Sequence, residues 1–130
     1  MKREGQALEI RLLCETIFDQ DPQAMIAVCG DFNADLHDAP LQLLRGQQSE
    51  LESSQRQLIS LESKLATTLA YSVIHAGKAK LLDHILASQT LTKTWTQTSI
   101  YNQDLEDEVF SLDPIMGSLH APIVTQFEFK

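Results

Sequence analysis

The chain is expected to fold as an α/β domain, and three observations predict it. Leu8, Leu12, Leu13, Ile17 and Phe18 recur at helical spacing. They are followed by Ala24-Met25-Ile26-Ala27-Val28-Cys29, an apolar run of strand length without polar alternation, the pattern of a strand covered on both faces. Further β-prone runs then alternate with turn-rich segments to the end of the chain. With 130 residues, 43% hydrophobic and 22% charged, the sequence is long enough for one core, so a single domain spanning residues 1–130 is expected.

The first helix is predicted over residues 6–19 and ends at Asp19-Gln20-Asp21-Pro22, because proline cannot continue it. The apolar strand leads into Gly30-Asp31-Phe32-Asn33-Ala34-Asp35. Asp38 then caps a short helix that tolerates Pro40 in its first turn, turns Leu41, Leu43 and Leu44 inward and stops at Gly46. Leu51, Leu58, Leu61, Leu65 and Leu69 lie seven, three, four and four residues apart, which predicts a surface helix with one leucine stripe. Residues 71–74 and 81–87 are predicted as the two arms of a hairpin joined by His75-Ala76-Gly77-Lys78-Ala79. Residues 92–101 alternate around Trp95 as a half-exposed strand, and residues 102–118 form an acidic loop. The final strand, 122–129, is predicted to turn Ile123, Thr125, Phe127 and Phe129 to one face.

Composition narrows the function classes. A net charge of −8 with scattered Lys and Arg disfavours a protein that tracks nucleic-acid phosphates. No apolar run reaches the roughly 18 residues of a membrane span, and the start lacks the apolar core of a signal peptide, so a cytoplasmic protein is expected. Cys14 and Cys29 lack paired Cys/His spacing and are read as small buried hydrophobes.

Three short motifs lie where strands meet loops: Gly30-Asp31-Phe32-Asn33, Leu82-Asp83-His84-Ile85-Leu86-Ala87-Ser88, and Ser118-Leu119-His120-Ala121-Pro122. Taken singly, an aspartate after a strand is a common turn former, and a lone histidine such as His37, His75 or His84 is commonly structural or solvated. In this order and placement, with Tyr71-Ser72-Val73-Ile74-His75-Ala76-Gly77 and Asp107-Glu108 between them, the motifs resemble the endonuclease/exonuclease/phosphatase superfamily of DNase-I-like, metal-dependent phosphoesterases. The resemblance covers nearly the whole chain and corresponds to the C-terminal half of the family domain. It implies half of a four-layer α/β sandwich, with one mixed β-sheet and helices packed on its outer face.

Phosphoester hydrolysis needs an in-line water, a group to orient it, and donors for charge on the phosphoryl oxygens. Asp31 is suited to position that water and Asn33 to donate to a phosphoryl oxygen. Side chains two apart on an extended segment share a face, so both are expected in one site. His120 would donate to the phosphate, best as an imidazolium favoured by a carboxylate partner. The resemblance assigns that orienting role to Asp83. Asp31, Asn33, Asp83 and His120 are therefore the candidate catalytic residues, with Asn33 and His120 also contacting substrate.

The resemblance implies magnesium or manganese, yet Leu119 stands where the family has a metal-serving Asp, and the family's further metal-binding Glu belongs to an N-terminal half that is missing here. A leucine offers no oxygen to such an ion, and no residue of this chain is assigned as a metal ligand. The expected function is a phosphoester hydrolase that is incomplete and weakly active or inactive as this chain. The alternative is a non-catalytic half-domain acting as a dimerising or interaction module. A lone half-sandwich exposes the inner face of its sheet and is expected to find a cover. The candidates are a second copy of the chain, a complementary N-terminal half, or a rearranged Leu51–Leu69 helix.

Overall fold

The computed structural model describes residues 2–46, 54–110 and 118–130. Helix α1, Lys2–Gln20, packs against α2, Ala39–Arg45. The buried side of α1 is Ala7, Arg11, Cys14 and Phe18, while Leu8, Leu12 and Leu13 are 44%, 55% and 60% exposed. The leucines at helical spacing in this segment thus face outward. Arg11 turns the helix: its guanidinium reaches the carbonyls of Leu44 and Arg56 and pairs with Glu15, anchorage that fixes which side lies inward. Pro40 stands in the first turn of α2, Asp38 precedes it and Gly46 ends it, as its local sequence requires.

Strand β1, Ala27–Asp31, follows, and after α2 the chain departs from expectation. In place of a leucine-striped helix, the described part of that segment holds single 3-10 turns at Ser54–Arg56, Glu62–Lys64 and Thr67–Leu69, with strand β2, Ile59–Ser60, between them. Leu51 lies outside the described residues. Leu58 and Leu61 are fully buried in separate clusters, whereas Leu69 is exposed. The spacing was helical, but the leucines are drawn to different cores.

The predicted hairpin is also redistributed. Strand β3, Val73–His75, pairs with β4, Lys78–Lys80, across a two-residue turn in which Ala76 and Gly77 both have positive φ, 50° and 80°. Strand β5, Asp83–Ala87, leaves this ribbon and lies antiparallel between β1 and β2. Helix α3, Gln89–Thr92, precedes β6, Trp95–Ile100, which pairs antiparallel with β7, Ile123–Phe127. Ile123, Thr125 and Phe127 are half-buried and alternate with exposed Val124 and Gln126; Phe129 lies beyond the strand and is exposed. Residues 111–117 of the acidic loop lie outside the described residues.

Among the described residues the fold is therefore mixed α/β, with three α-helices and three small antiparallel sheets, none closed, rather than one mixed sheet. Val28 and Leu86 turn one face of the β1–β5 ladder toward α1 and α2, where Phe18, Leu41, Leu44 and Leu58 complete the main core. The opposite face receives Ile85 and Ala87, packed with Leu61, Leu91, Trp95 and Phe127. That cover does not reach β1. Ala27 and Cys29 are exposed and β1 is an edge strand among the described residues, so the strand expected to be covered on both faces is open on one. Cys14 is buried as expected; Cys29 is not.

Candidate functional site

The apolar run ends on Gly30, whose φ of 149° is a conformation that L side chains rarely adopt. The next residue, Asp31, sits directly opposite Asp83 in the β1–β5 register. Opposed residues of an antiparallel pair share a face, so two carboxylates lie side by side, an arrangement that repels unless a cation joins them. His120 supplies it. Its Nδ1 lies 2.6 Å from Asp83 Oδ2 and 4.0 Å from Asp31 Oδ2. Burial alone lowers the imidazole pKa, but the hydrogen bond and charge of Asp83, with Asp31 and Glu108 adding to them, raise it above its ordinary value. In the protonated ring, with Nδ1–H committed to Asp83, the donor that His120 has for another acceptor is Nε2–H.

Asn33 enters differently from the expected alternation. The strand stops at Asp31, and Asn33 has φ 50°, so extended-chain geometry does not carry over to it. Its backbone N–H donates to Asp31 Oδ1 at 2.8 Å, and its carbonyl accepts from Arg3 Nη1 at 2.7 Å. The turn thus holds one oxygen of Asp31 and leaves Oδ2 toward His120. Of the four predicted residues, the structure gathers Asp31, Asp83 and His120, whose ligand atoms lie within 4.8 Å of one another. Asn33 is fixed beside them by its backbone.

Two residues without an assigned role in the sequence hold this cluster in place. Ser72 is fully buried, and its Oγ accepts the N–H groups of Leu82 at 3.0 Å and Asp83 at 3.2 Å. Its own carbonyl accepts the N–H of Ala121 at 2.7 Å. A single serine therefore ties the Asp83 strand to the His120 segment. Ser72 lies inside the Tyr71–Gly77 motif, so the signal was present, but a serine beside a strand has many ordinary readings. His84 is the second. It points to the opposite face from Asp83, and its Nε2 lies 2.7 Å from the carbonyl of Ala34, anchoring the loop after Asp31; Phe32 lies against its ring. Its Nδ1 has no hydrogen-bond partner among the described residues and lies 4.0 Å from Glu62 Oε2. Burial lowers the His84 pKa, consistent with a neutral, structural ring.

As a cation site the cluster is a poor match to magnesium. That ion prefers six oxygen ligands and near-octahedral geometry. Here Asp83 Oδ2 is committed to His120, Asp31 Oδ1 to its own turn, and Leu119 contributes no oxygen. What the arrangement does offer is an exposed carboxylate next to a carboxylate-held imidazole, a pairing suited to orient water and donate to an anionic oxygen.

Two recesses flank the cluster. An open cleft of about 580 Å³ is lined by His120 together with Tyr101, Asp104 and Pro122. A smaller recess of about 360 Å³ borders Asp31 on the side of Arg3 and Pro40. No helix among the described residues is long and apolar enough to cross a membrane. No protein-family model, curated protein or solved structure matches the chain.

Proposed function

We propose that the chain binds a phosphoester at the Asp31/Asp83/His120 cluster and is the C-terminal portion of a hydrolase of the endonuclease/exonuclease/phosphatase type, half of a DNase-I-like sandwich that is incomplete as this chain. One observation carries the reading: a carboxylate-bound imidazole and a second carboxylate, from three motifs distant in sequence, meet at one strand end. In this reading His120 donates to a phosphoryl oxygen and Asp83 positions it. Asp31 orients the attacking water, and Asn33 supports Asp31 through its turn and donates to the phosphate. Magnesium or manganese is expected to bind weakly for want of oxygen ligands.

The test is binding before turnover. Inorganic phosphate is expected to shift the His120 Cε1–H resonance in wild type, with no such shift in His120→Asn. Hydrolysis of bis-p-nitrophenyl phosphate with magnesium or manganese is expected to be slight. A His120 resonance indifferent to phosphate sinks the reading.

A second reading, a non-catalytic dimerising module, is favoured by the edge of β1, which no strand covers among the described residues, and by the exposure of Ala27 and Cys29 on it. It predicts a dimer in light scattering together with indifference to phosphate; a monomer that binds phosphate counts against it.

A further inference from the structure

The cleft beside His120 has a chemical character that narrows the substrate, on the assumption that the phosphoester reading above holds. Its volume of about 580 Å³ lies within the range of small-molecule sites. Its lining includes the apolar surface of Tyr101, which is 62% exposed, with Ile100 and Pro122; Asp104 and Ser118 provide polar groups. An exposed aromatic ring in a cleft offers a stacking surface that solvent alone does not reward. The electrostatics are one-sided. Among the described residues that line the cleft, Asp104 is the acidic one, His120 is the one able to carry positive charge, and none is Lys or Arg. A polynucleotide or polyphosphate placed there would be repelled by the Asp104 carboxylate, whereas an uncharged or cationic ring would be accepted.

We propose that this cleft binds the organic part of a phosphoester, that this part is a flat uncharged or cationic group stacked on Tyr101, and that polyanionic esters are disfavoured by the carboxylate of Asp104. The phosphate would then sit at His120 and its substituent would extend toward Tyr101. Tyr101 sets specificity and Asp104 sets charge preference; neither takes part in the chemistry.

The experiment uses the full chain and follows the His120 resonance by NMR in titrations with inorganic phosphate, phenyl phosphate and inorganic triphosphate. Phenyl phosphate is expected to bind roughly tenfold more tightly than phosphate, about the contribution of one stacked ring. Tyr101→Ala should remove that advantage and leave phosphate affinity unchanged. Asp104→Lys should strengthen triphosphate binding several-fold at low salt, the gain fading as salt is added. Equal affinity for phosphate and phenyl phosphate, or triphosphate binding best to wild type, overturns the cleft assignment while leaving the phosphate site standing. If none of the three anions moves the His120 resonance, the phosphoester reading fails and the cleft assignment with it.

Discussion

Ser72→Ala separates a packing role from a positioning role at the candidate site. The substitution leaves the backbone carbonyl that holds Ala121 and removes only Oγ, the acceptor for the N–H groups of Leu82 and Asp83. Both donors are partly buried, so each loses about 1–1.5 kcal/mol, giving a total of about 2–3 kcal/mol. For a chain of 130 residues that corresponds to a fall in Tm of roughly 7–11 °C. Urea unfolding measures the first quantity. The second readout is the His120 titration followed by NMR. Because Asp83 is the main group raising this imidazole, a loosened Asp83 lets its pKa fall back toward the ordinary histidine range. Ser72→Thr keeps the hydroxyl and should restore the titration even if its extra methyl group costs stability. A loss below about 0.5 kcal/mol with an unmoved His120 titration would refute the idea that Ser72 ties the two segments.

Glu62 is fully buried, and its carboxyl accepts the N–H of Ile85 and the hydroxyl of Ser60; burial pushes its pKa up to about 7. The folded state therefore holds a proton that the unfolded state releases near pH 4.5, so this residue makes stability fall as pH rises from about 4.5 to about 7 and adds no further slope above. Unfolding curves across that range should show Glu62→Gln with a shallower decline than wild type; an unchanged slope would mean Glu62 ionises at its ordinary pKa. His120 is raised as well, so its stabilising contribution is full below the ordinary histidine pKa and fades as pH climbs through the raised value. Asp83→Asn should remove that dependence in the same unfolding assay. Leu119→Asp adds a carboxylate next to His120, and calorimetric titration with magnesium should show tighter binding than in wild type; identical isotherms would show that this position does not face the cation. Iodoacetamide should modify Cys29 within minutes and Cys14 only on unfolding, since Cys29 is exposed and burial raises the Cys14 thiol pKa; rapid labelling of both would contradict the packing of α1.

Much of the local structure was legible in the sequence because it depends on adjacent residues. Asp38, Pro40 and Gly46 mark the limits of α2 by capping and by the geometry of proline, and the structure ends the helix at those positions. The alternation around Trp95 and along Ile123–Phe127 was enough to place β6 and β7. The motifs supplied Asp31, Asp83 and His120, and the structure brings these three together.

Helical spacing between Leu51 and Leu69 did not decide a helix, because Leu58 and Leu61 are each satisfied by a different core and the chain breaks into short turns to serve both. The tight Ala76-Gly77 turn selected Lys78–Lys80 as the partner of β3 and freed β5 to lie between β1 and β2. Only that long-range register sets Asp31 opposite Asp83, and only the packing of His120 across them joins the two carboxylates in one cluster. The sequence by itself determined which residues are candidates for the site and where the chain turns, since those properties reside in side-chain type and local backbone preference. The tertiary structure decided which strands pair, which face of α1 is buried and what Ser72 holds, because each follows from competition among distant surfaces for the same cores and hydrogen bonds.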